Sequence, residues 1–277
     1  MTRSEHGSLV VVGSGIKSIA HITTETRNVI KQADKVLYIL ADYLTKQWIV
    51  RQNPTAEDMH RFYANDKPRE QSYQEMIAYS LQFVRQGLHV CVVYYGHPGV
   101  FCTPGHESVR QARAAGYQAE MLPGISAEDC LFSDLLLDPV RGCQSFEATD
   151  FLVYHRQFDP RCLLILWQIG VTGHLDFQRN GYQHRQGVEV LTQYLQQCYP
   201  ASHTVTVYEA ATYNVCEPVI QHVALCDLPE AQISSVSTLL VPAYVAPDYK
   251  GADLDMVRAL GIDSQYVKFK TLAELEA

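Results

Sequence analysis

Between Met59 and Tyr73 the chain reads Met-His-Arg-Phe-Tyr-Ala-Asn-Asp-Lys-Pro-Arg-Glu-Gln-Ser-Tyr, aromatics and arginine gathered around an Asn-Asp-Lys-Pro turn. Tyr63, Arg69 and Tyr73 are the residues here whose types can do chemistry. A phenol ionises near pH ~10, and a fixed guanidinium beside it favours the phenolate and is expected to lower that value. Arginine does not give up its own proton. The stretch can therefore supply a base and a fixed positive donor together. It also has a purely structural reading, because Tyr73, Ile77, Leu81 and Val84 recur at helical spacing over residues 73–85, which makes Tyr73 a core-facing anchor at a helix start.

A second stretch, Tyr94-Tyr95-Gly96-His97-Pro98-Gly99-Val100-Phe101, closes the apolar run Leu-His-Val-Cys-Val-Val of residues 88–93. Such a run predicts a strand covered on both faces, and in open α/β sheets ligands bind beyond the carboxyl ends of strands. Gly96 and Gly99 have no Cβ, so a flat cofactor can approach the backbone, while Pro98 stiffens the turn between them. An ordinary strand-to-helix turn would have the same composition.

These segments need a scaffold to bring them together. With 277 residues, 47% hydrophobic and 19% charged, the chain has the composition of a globular protein able to form two α/β domains. A net charge of −8 opposes sequence-independent attraction to nucleic acid or anionic lipid. The N-terminal residues lack the apolar stretch of a signal peptide and no apolar run is long enough to span a bilayer, so the expectation is a cytoplasmic protein with neither nucleic acid nor membrane as partner. The 8 cysteines are dispersed without metal-ligand spacing, which predicts reduced thiols and no metal site.

Along the chain, residues 9–12 predict a first buried strand running into Gly13-Ser14-Gly15. The dinucleotide fingerprint fails at its third glycine, where Ser18 stands, so Gly13 and Gly15 are assigned to packing and a nicotinamide enzyme is disfavoured. Strands are expected over 35–40, 118–122, 162–167, 204–208 and 237–242. Helices are expected from a Thr23 or Thr24 cap to residue 33, and over 42–51, 73–85, 105–115, 126–136, 187–197 and 253–260. Ser126 reads as a helix cap, with Glu128 and Asp129 in the first turn. Composition changes near Asp138-Pro139-Val140-Arg141-Gly142. We expect residues 1–123 to form an N-terminal domain with the loop and tyrosines, residues 124–245 a C-terminal domain completing the site, and 246–277 a polar tail.

Gly-His-Pro-Gly-Val-Phe at 96–101, followed by Met-Leu-Pro-Gly-Ile-Ser-Ala-Glu-Asp-Cys-Leu-Phe at 121–132, resembles the borosin peptide α-N-methyltransferases. These belong to the tetrapyrrole-methylase-like class of S-adenosylmethionine enzymes, and the similarity runs from Gly7 to about Pro242. The resemblance implies two α/β domains with the cofactor cleft between them. It implies S-adenosylmethionine as methyl donor and S-adenosylhomocysteine as product. The donor-binding residues it implies are Tyr95, His97, Gly99, Val100, Phe101, Ser126, Ala127, Gln168, Glu209, Ala210, Ser237 and Thr238. Tyr63, Arg69 and Tyr73 match the family's catalytic tyrosine, arginine and tyrosine, which implies Tyr73 as base with Arg69 and Tyr63 polarising the amide and holding its oxyanion. His60 stands where other members carry tyrosine.

A porphyrin or corrin C-methyltransferase would share fold and donor but would more usually show an acidic residue in place of His97. An RNA-methylating relative would show a basic face. A non-catalytic peptide-binding module would not require the tyrosine–arginine trio. No long clasp domain follows Pro242, so the expectation is a split enzyme, a homodimer, acting on a separate precursor peptide with its own recognition domain.

Overall fold

The computed structural model describes residues 6–65, 67–178, 184–245 and 254–261. In its first half the apolar runs form β1 (Ser8–Gly13), β2 (Lys35–Ile39), β3 (Glu57–Asp58), β4 (His89–Tyr94) and β5 (Gln118–Met121). All neighbours are parallel, in the order β3-β2-β4-β1-β5. Alternate residues of these strands face opposite sides. Leu9, Val11, Leu37, Val90 and Val92 pack against α3 (Arg69–Arg85) and α4 (Thr103–Ala114), through Met76, Ile77, Leu81, Val84, Val109 and Ala112. Val12, Val36, Tyr38, Cys91 and Val93 pack on the other face against Ile30 of α1 (Thr24–Gln32) and Ile49 of α2 (Tyr43–Gln52). Both faces are covered, which is why the strands read as nearly continuous apolar runs.

The chain leaving β1 crosses past β4 to reach β2, and the chain leaving β4 crosses past β1 to reach β5. Right-handed crossovers in opposite directions put their helices on opposite faces. The carboxyl ends of β1 and β4 thus part their outgoing chains and leave a crevice, the usual ligand position in an open α/β sheet.

The second half begins with α5 (Ala127–Asp134) and continues through β6 (Cys143–Glu147), α6 (Ala148–Val153), β7 (Leu163–Trp167), α7 (Arg185–Leu195), β8 (Thr204–Glu209), β9 (Val219–Ala224) and β10 (Thr238–Val241), with α8 (Leu254–Ala259) beyond. Its sheet has the order β6-β7-β10-β8-β9, parallel only between β6 and β7. Leu164, Leu166, Val205, Val207, Leu239 and Val241 face Phe151 of α6 and Val188, Leu191 and Leu195 of α7. The alternate residues Ile165, Trp167, Tyr208 and Leu240 face Cys130 and Leu131 of α5, with Ile16 from the turn after β1 and Ile125 from just before α5 packed alongside. The Tyr208 hydroxyl donates to Asp134 at 2.7 Å. This shared core presses the two sheets together, and each fully buried aliphatic in it contributes about 1.5–3 kcal/mol.

Three expectations change. The helix expected over 73–85 begins at Arg69, because Pro68 ends the preceding turn and the Arg69 N–H finds the carbonyl of Leu175. Arg69 and Tyr73 therefore lie one turn apart on the same face. The helix expected to run to residue 136 ends at Asp134, and Leu136 turns to φ 52°. The strand Val219–Ala224 was not expected; it is an edge strand with Val219 and Ile220 exposed, so it lacks the alternation that marks a strand buried on one face.

Candidate active site

The floor of the crevice is made of glycine. A Cβ added at Gly13 would lie 2.1 Å from the Gly96 carbonyl oxygen, and one at Gly124 would lie 2.9 Å from the same atom. Without side chains at Gly13 and Gly124 the ends of β1 and β5 can close on the loop after β4. Gly15 and Gly96 then bond to each other through both main-chain groups, at 3.2 and 2.9 Å, with Gly96 at φ 69°.

In the loop that follows, Nδ1 of His97 accepts the Gly99 N–H at 2.9 Å. Nε2 of His106 lies 2.9 Å from the Gly99 carbonyl, which can only accept, so that nitrogen carries the proton. A Cβ at Gly99 would press on the His97 ring at 3.0 Å and on the Met121 sulfur at 3.1 Å. On that side the space beside Gly99 belongs to His97 and Met121. Tyr95, Val100 and Phe101 are large apolar residues left exposed. Phe101, at φ 49°, approaches Trp167 of the second half with ring centroids 5.9 Å apart. A closely packed glycine floor flanked by exposed aromatic and aliphatic side chains fits a flat nucleoside such as that of S-adenosylmethionine.

The second half brings its expected residues to one place. β10 is antiparallel to both neighbours, so Thr238 at its start lies beside the carboxyl ends of β7 and β8, opposite Tyr208. Gln168 turns the chain out of β7 with φ 60°, and Ile169 donates its N–H to the Ser237 carbonyl at 3.1 Å. The Glu209 carboxylate accepts from the hydroxyls of Ser234, at 2.6 Å, and Ser237. Ser237 and Thr238 are buried. Ser126 caps α5 in a reciprocal capping box with Asp129, and Ala127 packs with Ala210 in the shared core. The Ser126 and Glu209 side chains are thus already engaged in holding these loops.

Tyr63 and Tyr73 lie close enough to Tyr95, on the loop after β4, for the three phenols to influence one another. Tyr63 ends a 3-10 turn (Met59–Phe62), while Arg69 opens α3 and Tyr73 stands one turn further on. The Arg69 guanidinium favours the ionised form of Tyr63, Tyr73 and Tyr95 alike, so it lies within electrostatic reach of three phenols. Burial acts in the opposite direction and is the largest influence on each, so the Tyr63, Tyr73 and Tyr95 pKa values all rise. The sequence reading expected the guanidinium to win; desolvation outweighs it. The three are not equal. Tyr63 is driven far above the ordinary phenol range by burial and its phenolic neighbours, whereas Tyr73 is eased by Arg69 and by a hydrogen bond from Tyr63. Tyr63 is held as a phenol that donates, and Tyr73 ionises more readily. Tyr95 is open to the crevice by surface area, 53%, yet protein crowds its hydroxyl closely enough to raise its pKa.

Sequence reasoning missed three members of this cluster. Tyr94 is buried and its pKa is raised by that burial. Burial pushes the Cys102 thiol up to about 12, so it stays neutral among the phenols. Phe177, from the second half, stacks on Tyr63 with centroids 4.9 Å apart and planes 23° from parallel. Isolated residues such as these carry no periodic signal. His60 lies to one side, with Nδ1 2.6 Å from Asp58 and its ring 6.2 Å from that of Tyr63. No helix among the described residues is long and apolar enough to cross a membrane.

The sequence profile of the Tetrapyrrole (Corrin/Porphyrin) Methylases matches residues 8–224. The chain is 40% identical over 264 residues to the methyltransferase/ribosomally synthesized cyclic peptide dendrothelin A precursor of Dendrothele bispora, covering 94% of this chain and 62% of that protein. It is 39% identical to the omphalotin A precursor of Omphalotus olearius, again over 94% of this chain and 62% of the relative. The chain thus spans about 62% of the length of these relatives. A type I borosin cyclic peptide precursor of Cerrena unicolor is 34% identical over 99% of this chain and 67% of its own. Among solved structures, uroporphyrin-III-C-methyltransferase from Thermus thermophilus superposes with a TM-score of 0.59 at 20% identity, covering 86% of this chain and 92% of that one, which shows the shared fold. With the parallel sheet, the glycine-floored crevice and the profile match in agreement, the chain belongs to the tetrapyrrole (corrin/porphyrin) methylase family and is similar over most of its length to its borosin methyltransferases.

Proposed function

We propose that this protein binds S-adenosylmethionine in the crevice and methylates backbone amide nitrogens of a peptide, releasing S-adenosylhomocysteine. The observation that carries the reading is the Arg69 guanidinium within electrostatic reach of the phenols of Tyr63, Tyr73 and Tyr95, the last of them on the loop of residues 95–101. An amide acceptor calls for both parts of this cluster, a base for its proton and a positive donor at its oxygen, because its nitrogen lone pair is delocalised into the carbonyl.

When bound, S-adenosylmethionine supplies an electrophilic methyl group on a cationic sulfur. The residues of the donor loop, with Ser126, Ala127, Gln168, Glu209, Ala210, Ser237 and Thr238, would hold and shape its site. Tyr73, as phenolate, takes the amide proton and becomes a phenol. Arg69 and the Tyr63 phenol stabilise the negative charge that develops on the amide oxygen. Proton removal by Tyr73 and charge stabilisation by Arg69 and Tyr63 would leave the amide nitrogen able to accept the methyl group that the bound donor supplies, with the sulfur leaving as the neutral thioether of S-adenosylhomocysteine. Closure of the crevice between the halves excludes water from this exchange.

In this reading the peptide belongs to a separate precursor with its own recognition domain, and the working enzyme is a homodimer. The similarity to proteins named as methyltransferase and peptide precursor together supports a peptide as acceptor. Incubation with methyl-labelled S-adenosylmethionine and candidate acceptors, followed by fragmentation mass spectrometry, tests it. Label on backbone nitrogen is the expected result, and label on a tetrapyrrole carbon or on no peptide would overturn it. Light scattering tests the dimer.

A further inference from the structure

The helix that carries Arg69 and Tyr73 starts without a cap of its own. Pro68 occupies its N-cap and provides no side-chain hydrogen bond. The missing acceptor comes from the second half of the chain, where the Leu175 carbonyl receives the Arg69 N–H at 3.3 Å. Next along, the Asp176 carbonyl receives Nε of Arg69 at 3.1 Å. Phe177 then donates its N–H to the Lys67 carbonyl at 3.2 Å and lays its ring on Tyr63. Three consecutive residues therefore touch both of the groups that flank Tyr73. Each contact constrains direction: an Nε–H bond fixes the plane of a guanidinium, and a stacked ring fixes the swing of a phenol. These residues lie more than a hundred positions after the segment they hold, so the trio is complete only when the second half is seated on the first.

We infer that residues 175–177 form a positioning strap, in which the Leu175 and Asp176 carbonyls aim Arg69 and the Phe177 ring sets Tyr63, so that the second half governs the geometry of proton removal from the acceptor. The inference rests on the methyltransfer reading for its kinetic consequence, while the arrangement itself is testable without it. Phe177 is the residue to alter, since the other two contacts are made by the backbone. The ionisable groups around Tyr73 are Arg69 and Glu70 on its own helix, and Tyr63, Tyr94, Tyr95 and Cys102 from the elements packed against it.

Phe177→Ala, Phe177→Tyr and wild-type enzyme are compared in three measurements. Single-turnover methylation at saturating donor is followed across pH, donor affinity is measured by calorimetry, and nitration of Tyr63 by tetranitromethane is mapped by mass spectrometry. In Phe177→Ala the turnover rate should fall about tenfold to a hundredfold, as misplacement of catalytic groups does. Its pH–rate rise should move to higher pH, because a Tyr63 no longer held by the ring donates less well to Tyr73 and so favours its phenolate less. Donor affinity should stay within about twofold of wild type, since the ring does not border the glycine floor. Tyr63 nitration should increase, and Phe177→Tyr, which keeps a stacking ring, should restore rate, pH profile and protection. Unchanged nitration and rate in Phe177→Ala would overturn the strap, as would a loss of donor affinity equal to the loss of rate, or a Phe177→Tyr variant as impaired as the alanine. If wild-type enzyme methylates no peptide, the functional reading fails, and the nitration pattern alone then decides the strap.

Discussion

The two sheets make opposite contributions to the same crevice. The first is wholly parallel, so every strand delivers its carboxyl end to one edge, and glycines at 13, 96 and 124 let those ends converge. The second is mostly antiparallel, so it reaches the crevice at one corner, where the ends of β7 and β8 meet the start of β10. It also sends out the segment that holds Tyr63 and Arg69. The first half thus carries Tyr63, Arg69 and Tyr73, and the second half fixes where two of them point. Side chains that look functional by position, such as Ser126, Glu209 and Ser237, spend their hydrogen bonds on the protein itself.

That division predicts different symptoms for damage on either side. Tyr73→Phe removes one hydroxyl and leaves the ring packed; single-turnover methylation should fall about 10²–10⁴-fold, the range of a lost general base, with donor affinity unchanged. Arg69→Lys keeps the charge but loses the planar fork, and should cost about 10²–10³-fold in the same assay, since a lysine cannot reach the phenols and the Asp176 carbonyl together. Gly13→Ala should act on binding: the added Cβ must move the Gly96 backbone, and calorimetry should show donor affinity down by about tenfold, a displacement worth roughly 1–3 kcal/mol in a packed site. Gly99→Ala should be milder, because its Cβ meets only side chains. Tyr208→Phe, which cuts the bond to Asp134 within the shared core, should lower stability by about 1–2 kcal/mol in denaturant unfolding and leave turnover nearly intact. If Tyr208→Phe instead abolished methylation of a folded enzyme, the second half would be supplying more than position.

Much of the first half is legible in sequence because its strands, buried on both faces, are short β-branched runs bounded by glycine. The run at 88–93 and the loop after it needed no tertiary information. The start of α3 was misplaced because the acceptor for Arg69 lies at Leu175, and no local pattern announces a cap supplied from so far along the chain. Phe177 was invisible for the same reason. The pKa of Tyr73 was given the wrong sign, since a neighbouring charge can be read from spacing but the amount of protein around a hydroxyl cannot. The ring beside Gly99 is not legible in sequence either, since it depends on the His97 rotamer. Residues 246–253, at the start of the polar tail, lie outside the described residues, as does the tail after 261.

In the proposed reaction Tyr73 must lose its proton before the amide can lose its own. Burial holds the Tyr73 pKa above that of an ordinary phenol despite Arg69. Below that pKa the reactive phenolate fraction grows about tenfold per pH unit. Single-turnover methylation of a bound peptide, followed from neutral to alkaline pH over the range in which the fold stays intact, measures this directly. The wild-type rate should climb with pH at close to that slope, and the residual rate of Tyr73→Phe should lack the climb. A wild-type rate that is flat over the range, or a Tyr73→Phe enzyme that climbs with the same slope, would contradict the assignment.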